Sequence, residues 1–448
     1  MKLIHTFLKG GVFPPEHTRT ARDAATWNAM IPARCVVPLL QHSGVPARRI
    51  VQRGQRVNEG AIIGAARAYE SARVHAPIPG VVSEIIQLTL ADGRQSEAVV
   101  IELDGEFQQL GRSIKPRDWR RLKNRRIYEQ ISDAGVVGLG GEGVPSHTKY
   151  VLPKTGAVEW LIVNGCESEP YLSSEYRLLR ERPQQLVEGI QILMRLLSPK
   201  RTVIALAGHT RSAVSGLRGA VAAARSRIQL QRLAGKYPQG DEHTLVGSVA
   251  GRAVRGAATV ADAGCMVIDV ATVLAMYEAV LLGKPLVERT VTVSGGAIAQ
   301  PGNLKVRLGA SIGDLIEECG GFCAAPRKLV VGGPMRGHAV TDLTQPVTKL
   351  TSAVLALTEE ELQSVGQTAC VRCGRCVRAC PMGLEPVMLH LLIAQHDWRA
   401  VVKAGVFDCT ECGCCGFICP SGIPLVDQLK QAKSQIRREE HEDGERAH

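Results

Sequence analysis

The chain has 448 residues, 45% of them hydrophobic but only 4% aromatic, and a formal net charge of +11. That length allows roughly three domains with real cores, and no run reaches the ~18 apolar residues of a membrane helix. The scarcity of rings and the lack of a recognition motif turn the positive charge away from nucleic acid. Met1-Lys-Leu-Ile-His has no signal-like apolar core, so a cytoplasmic, non-spanning protein is expected.

Residues 1–30 are expected to form an extended arm, because Lys9-Gly10-Gly11-Val12-Phe13-Pro14-Pro15-Glu16 cannot continue as regular helix. Across 31–110 the pattern becomes short β-branched strands: Val36-Val37-Pro38-Leu39, Ile50-Val51, Ala61-Ile62-Ile63, Val81-Val82 and Val99-Val100-Ile101. The run His75-Ala76-Pro77-Ile78-Pro79-Gly80-Val81-Val82 resembles the barrel-sandwich fold of biotinyl and lipoyl carriers. The carriers' tip lysine is absent, which implies a scaffold without a swinging arm.

Residues 111–285 read as an α/β domain. It opens on a basic run, Arg112, Lys115, Arg117, Arg120, Arg121, Lys123, Arg125 and Arg126 against Asp118 alone. The run suits either a solvated helix face or a surface against anionic lipid or an acidic partner. Next comes Gly135-Val-Val-Gly138-Leu-Gly140-Gly141-Glu142-Gly143-Val144-Pro145-Ser146, ahead of an expected helix. Such a glycine run makes a nest of backbone N–H groups suited to a phosphate or an electron-rich ring, and Lys149 adds a cation within reach. No clear strand precedes it, so it is not a plain Rossmann fingerprint. Trp160-Leu161-Ile162-Val163 reads as a buried parallel strand ending in Asn164-Gly165-Cys166-Glu167-Ser168-Glu169-Pro170. Ligands of open α/β sheets gather at strand carboxyl ends, which favours Asn164, Glu167 and Glu169, although two solvated loop glutamates read the same way. A helix over 183–197, a strand at 202–206, a helix near 211–227, an acidic turn at Tyr237-Pro238-Gln239-Gly240-Asp241-Glu242 and a strand-to-helix junction at 266–272 continue the alternation.

Residues 286–350 return to short strands and glycines around a helix bearing Ile312, Leu315 and Ile316, a small α+β module. Cys319 and Cys323 there are best explained by core packing or chance. Residues 351–434 are expected to be helical around cysteine loops, and the charged 435–448 tail is expected to be disordered.

The cysteine loops carry the most specific signal. Cys370-Val-Arg-Cys373-Gly-Arg-Cys376-Val-Arg-Ala-Cys380-Pro381 returns as Cys409-Thr-Glu-Cys412-Gly-Cys414-Cys415-Gly-Phe-Ile-Cys419-Pro420. This is the spacing of a bacterial ferredoxin with two [4Fe–4S] clusters, in which the fourth cysteine of each run ligates the other cluster. One cluster is assigned to Cys370, Cys373, Cys376 and Cys419, the other to Cys409, Cys412, Cys415 and Cys380. A zinc site needs only four ligands, and disulfides need an oxidising compartment. Cys414 breaks the spacing and reads as a bystander.

These motifs occur in one order that resembles the C subunit of the Rnf (or Rsx) electron-transport complex, over about residues 7–430. The 125–345 core is also similar to the flavin- and NADH-binding subunit of respiratory complex I, and 290–340 to the SLBB domain of both. The resemblance implies a multidomain α/β architecture: barrel-sandwich domain, Rossmann-like FMN/NADH-binding domain, SLBB module and helical two-[4Fe–4S] domain. It implies FMN on Gly138, Gly140, Gly141 and Gly143, with Lys149 near its phosphate side. Asn164, Glu167 and Glu169 would hold flavin and nicotinamide, with Tyr237, Asp241 and Glu242 as a second acidic turn and Thr272 as a last flavin contact. Where the family has Gly-Ala-Gly-Phe this chain has Gly141-Glu142-Gly143-Val144, which removes a stacking ring. An asparagine of the family is Asp269, whose charge would oppose a reduced anionic flavin, and Cys166 stands where a small or acidic residue is usual.

The implied activity passes electrons between NAD(H), FMN and two clusters, since a hydride carries two electrons and a cluster accepts one. The implied setting is the cytoplasmic face of the bacterial inner membrane. There the chain would dock on integral-membrane and ferredoxin-like subunits, exchanging electrons with ferredoxin or flavodoxin and driving Na⁺ or H⁺ movement. The rival readings are a cobalamin reductase with similar modules and a cluster-bearing adaptor whose flavin site has decayed.

Overall fold

The computed structural model describes residues 5–15, 19–107, 114–149, 157–208, 211–255, 258–362 and 366–446. Arg112 of the basic run lies outside them.

Two antiparallel sheets make the N-terminal barrel. One runs in the order Arg34–Pro38, Gln95–Leu103, Gly80–Thr89, Arg56–Val57, and the other in the order Arg48–Arg49, Ile62–Ala65, Val74–His75. Alternate residues point inward, so Cys35, Val37, Ile63, Ile78, Val99 and Ile101 form one core. A register shift between Val82 and Glu84 lets the ten-residue Gly80–Thr89 strand bend around it. The strand expected at Ile50-Val51 lies two residues earlier, at Arg48–Arg49.

The α/β domain is built on a four-stranded parallel sheet in the order Ile228–Leu233, Arg201–Ala207, Trp160–Gly165, Cys265–Asp269. The chain progresses outward from Trp160–Gly165 over three strands, then returns to its other side. Strand order therefore reverses beside Trp160–Gly165, and the crevice beyond its carboxyl end is a switch point of the kind where ligands bind. The expected helix at 211–227 stops at Ala223 and is followed by a strand, Ile228–Leu233. Arg225 turns the chain there with a left-handed φ of 48°. The helix Ser174–Glu181, which the sequence did not announce, precedes the expected helix Pro183–Leu197.

A six-stranded mixed sheet follows, in the order Trp27–Asn28, Gly302–Arg307, Glu288–Ser294, Ala353–Leu357, Lys328–Val331, His338–Val340. Two of these strands overturn expectations. Trp27–Asn28 belongs to the arm, which also contains the helix Arg19–Asp23. Ala353–Leu357 falls in the stretch expected to open the helical region; it pairs on both sides and is fully buried along its length. Cys319 is buried and Cys323 exposed, as packing rather than ligation would place them.

The C-terminal helices pack through Leu389, Val401, Val406, Leu429, Ala432 and Ile436. The segment expected to be disordered from Gln435 instead continues the helix Leu425–Arg446. Its first turns are anchored by Leu429, Ala432 and Ile436, and a Gln435–Glu439 hydrogen bond supports the next turn.

Two of the ties between these units come from the arm and from Lys349. The arm bonds in both directions: Gly11 N donates to Ala379 O at 2.8 Å, and Val12 and Tyr237 exchange backbone bonds at 2.9 Å. Lys349 is fully buried, and its Nζ donates to Arg73 O and Gly135 O, each at 2.7 Å. That clamp joins the barrel to the first residue of the glycine-rich loop. Along the basic run, Arg120 pairs with Glu188, Arg121 with Asp118, and Arg125 and Arg126 with Glu129. Much of its charge is thereby answered locally.

Candidate functional site

Gly138 and Gly143 close the glycine-rich loop. Gly138 N donates to Val144 O at 2.9 Å and Gly143 N to Gly138 O at 3.2 Å. The loop tip is held to the end of the fourth strand. Leu139 N donates to Thr272 Oγ1 at 2.9 Å and Gly140 N to Asp269 Oδ2 at 3.1 Å. A Cβ on Gly140 would lie 2.3 Å from the Asp269 carboxylate, so only glycine allows this approach. Asp269 is paired in register with Asn164, whose Nδ2 bonds both Asp269 Oδ1 at 3.2 Å and Gly240 O at 3.0 Å. Asn164 therefore ties three segments together at the switch point.

Lys149 Nζ sits between two acids, 2.8 Å from Glu142 Oε2 and 3.3 Å from Glu242 Oε1. Burial works against the ammonium, but the two carboxylates hold its pKa above the ordinary lysine value. Desolvation also works against Glu142, whose side chain is still 44% exposed, yet Lys149 pulls it down to about 2. Glu242 goes the other way, raised by burial and by Glu142 beside it. Like-charged partners cannot both ionise cheaply around one cation.

Four more acids line or back the crevice, and burial raises all of them. Glu167 and Glu169 are each pushed up to about 7 by burial. Asp269 is raised by burial and by Glu142, and Glu175 by burial and then by Asp269 and Glu167. Glu169 Oε2 accepts from Met335 N at 2.8 Å, while its Oε1 is buried without a protein partner. Glu167 spends Oε1 on Tyr176 N at 2.8 Å and leaves Oε2 in the same condition. Gly333 makes room for Glu169, since a Cβ there would meet its carboxylate at 2.2 Å.

These groups face a cavity of about 770 Å³. Of the residues singled out in the sequence, Gly140, Gly141, Lys149, Asn164, Glu169, Asp241 and Glu242 line it. Gly138, Gly143, Glu167 and Thr272 stand behind the wall and fix its shape. Tyr237 is diverted: its hydroxyl donates to Cys412 O at 2.6 Å. The far wall comes from the SLBB-like sheet (Gly332, Gly333, Arg336) and from the second cysteine loop (Thr410, Glu411) with Lys433. Arg336 bridges the two sides, bonding Asp241 Oδ2 at 3.2 Å and also Thr410 O.

Cys380, Cys409, Cys412 and Cys415 line one small apolar cavity, and Cys414 joins them. Cys370, Cys376 and Cys419 pack against a patch formed by Cys415, Ile423 and Leu425. Cys380 and Cys419 thus each sit with the opposite run, as the exchanged ligation requires. Backbone N–H groups point at the sulfurs: Arg372 N to Cys370 Sγ and Glu411 N to Cys409 Sγ at 3.4 Å, Leu384 N to Cys380 Sγ at 3.3 Å. Such donors stabilise cluster-bound thiolates and tune their potential. Among the described residues no three His, Cys, Asp or Glu side chains converge on a single-ion site. The donor set fits iron–sulfur clusters.

Four family models match in chain order: an RnfC barrel sandwich hybrid domain at 6–106, a Nuo51 FMN-binding domain at 131–278, an SLBB domain at 290–339 and a 4Fe-4S dicluster domain at 363–420. The C subunit of the proton-translocating ferredoxin:NAD(+) oxidoreductase complex of Clostridium ljungdahlii is 36% identical, over 86% of this chain and 84% of its own. The C subunit of the Na(+)-translocating ferredoxin:NAD(+) oxidoreductase complex of Acetobacterium woodii is 34% identical, over 97% of this chain and 98% of its own. The chain belongs to the C-subunit family of ion-translocating oxidoreductase complexes. The C subunit of the ion-translocating oxidoreductase complex of Rhodobacter capsulatus is also similar, at 36% identity over 96% of this chain and 83% of its own. A solved NAD+-reducing [NiFe]-hydrogenase chain shares the fold, with a TM-score of 0.51 and 19% identity; the match covers 70% of this chain and 64% of that one.

Membership of the C-subunit family makes this an electron-transfer chain, with a domain for FMN and a domain for two [4Fe–4S] clusters. The glycine cradle, the unpartnered buried acid oxygen of Glu169 and the cavity volume fit a flavin. Among the described residues no helix is long and apolar enough to cross a membrane. Sequence reasoning missed Arg336 and Lys349. Arg336 follows the glycine turn at 332–333 that the motifs did reach, whereas nothing local sets Lys349 apart from other lysines.

Proposed function

We propose that this C subunit exchanges electrons between NAD(H) and the membrane complex through the crevice at the sheet's switch point. Gly140 and Gly141 offer backbone against the flavin, and Lys149, held by Glu142 and Glu242, supplies the fixed cation of that wall. Asn164 and Asp269 fix the loop, while Glu169, Asp241 and Glu242 face the nicotinamide side. Bound there, FMN would supply the conversion between a two-electron hydride and single electrons, and the clusters would supply one-electron transfer. The chain's part is to orient the reactants, to raise the pKa of Glu167, Glu169 and Asp269 by burial where a negative charge would oppose reduction, and to hold the second cysteine loop against the cavity.

The observation that carries the reading is that Thr410 and Glu411, inside the second cysteine loop, are part of the cavity wall. Cys409, Cys412, Cys415 and Cys380 would therefore hold the cluster next to the cavity and Cys370, Cys373, Cys376 and Cys419 the one beyond it, which gives the proposed electron order. Beyond it stand integral-membrane and ferredoxin-like subunits, with ferredoxin or flavodoxin as the soluble carrier. The proposed location is the cytoplasmic face of the inner membrane, where the reaction is coupled to Na⁺ or H⁺. Relatives named for both ions support the coupling.

One observation favours the flavin-free adaptor: the Lys149 ammonium is already answered by two carboxylates. Acid release of bound cofactor separates the two. About one FMN and about eight irons per chain, with NADH bleaching the cluster absorbance, are expected. About eight irons with no FMN and no bleaching would establish the adaptor.

A further inference from the structure

The two cysteine loops have the same backbone and opposite surfaces. Arg372 and Glu411 occupy the same place in each motif, and both adopt the left-handed region, at φ 54° and 57°, rare for such residues. The glycines that follow, two residues on, match as well, at φ 68° and 79°. With the backbones alike, the side chains report what each loop faces. In the second loop the matched positions are Glu411, paired with Lys433 at 2.8 Å, the fully buried Cys414, and the half-buried Phe417. That loop packs against the flavin-side cavity. In the first loop the same positions are Arg372, Arg375 and Arg378, all exposed.

Cys373, between these arginines, is itself exposed. Val371 beside it is 65% exposed, where the second loop has the polar Thr410. The backbone N–H of Val387 reaches the Cys376 thiol, so the next helix starts against the same cluster. That helix presents Met388 and Leu391 outward, 45% and 49% exposed. No acid occurs from residue 366 to 384. The result is a cationic ring with an apolar centre, around a cluster ligand that meets solvent.

We propose that this face is the docking and electron-exchange port for an acidic iron–sulfur carrier protein, recognised by Arg372 and Arg375 around Cys373. It rests on the electron order given above. One electron leaves the outer cluster and reduces one cluster of the partner, with no proton or bond change. An anionic membrane would also meet the charge, but it cannot accept an electron from the exposed ligand side. Small, transient redox interfaces combine a charged rim, which sets encounter rate and salt dependence, with a limited apolar centre.

The test uses the full chain loaded with its cofactors and, as probe, an acidic two-[4Fe–4S] ferredoxin. Binding of the oxidised probe and its reduction under NADH should both weaken as salt rises. R372Q/R375E should lower affinity and second-order rate by about tenfold or more at low salt, and the difference should vanish at high salt. The variant's iron content should equal that of the unmodified chain, because the backbone N–H of residue 372 that reaches Cys370 Sγ is kept. Loss of bleaching in the unmodified chain would remove the proposed function, not the port. Salt-independent binding by the unmodified chain overturns the port without any variant, as does an unchanged rate in R372Q/R375E. Binding to phosphatidylglycerol-containing vesicles that the variant loses, with ferredoxin binding intact, would assign the face to lipid instead.

Discussion

The Tyr237 hydroxyl donates a 2.6 Å hydrogen bond to the carbonyl oxygen of Cys412, and both residues are buried. A side chain of the acidic turn thus holds the backbone of the inner cluster loop, while Arg336 holds Thr410 of the same loop to Asp241. Removing the hydroxyl leaves a buried carbonyl without that partner, at a cost of about 1–3 kcal/mol. Tyr237→Phe is therefore expected to lower the urea midpoint for loss of cluster absorbance and to slow NADH bleaching, while FMN content stays at the unmodified level. Stopped-flow absorbance and cofactor analysis on one preparation read all three.

Gly140 is expected to be the least replaceable glycine for flavin retention. Its missing Cβ is the space the Asp269 carboxylate occupies, and Asp269 is pinned there by Asn164. Gly140→Ala must displace either the loop or the acid, and both belong to the crevice. FMN per chain should fall several-fold while iron per chain stays unchanged. An alanine variant that keeps full FMN would show that the loop tip is not the flavin cradle.

The dicluster domain was legible because metal spacing is a local property: eight cysteines, two runs, one rule. The switch-point crevice was legible in part, through Asn164 and the strand it ends. Its other half was not, because the wall is assembled from residues far apart in sequence, Gly140 with Asp269 and Asp241 with Arg336. Tyr237 belongs to the motif that the resemblance assigned to cofactor, yet it serves the cluster loop; no pattern within the turn distinguishes the two roles. The strand Ala353–Leu357 carries too little alternation to separate it from a buried helix segment. The charged tail was misjudged because composition alone ignored the apolar anchors that start its helix.

Burial raises Glu169 to about 7. The folded chain then keeps a proton that the unfolded chain has lost, so this group's contribution is complete below the ordinary carboxylate range and is lost as pH rises to about 7. Glu169→Gln should remove that loss. Its urea midpoint, relative to the unmodified chain, is expected to be higher at pH 8 than at pH 5, by on the order of 2 kcal/mol in stability.

Lys349 has the opposite slope. Burial lowers it to about 7 from 10.5, so above pH 7 the unfolded chain binds a proton that the folded chain does not. Stability from this group rises between those two pH values and is lost as pH falls through them. Lys349→Met should abolish the rise. It also leaves Arg73 O and Gly135 O without the Nζ donor, a penalty of about 2–4 kcal/mol in total that loosens the barrel from the glycine loop. Denaturant curves at pH 6.5 and pH 9 would show the flattened profile, and FMN loss should accompany it.

Cys380 gives the sharpest test of the exchanged wiring. It closes the first run in sequence but lines a cavity with Cys409, Cys412 and Cys415 of the second. Cys380→Ser should therefore spoil the inner cluster, the one beside the flavin-side cavity, and leave the outer cluster intact. Iron should drop from about eight to about four per chain. Because the surviving cluster lies beyond the damaged one, NADH should no longer bleach it rapidly, whereas dithionite should still reduce it. Cys419→Ser is the mirror case: the outer cluster is lost, the inner one remains, and NADH bleaching of that inner cluster persists. If the two variants gave the reverse pattern under electron paramagnetic resonance, each run would be binding its own cluster and the electron order through the chain would have to be redrawn.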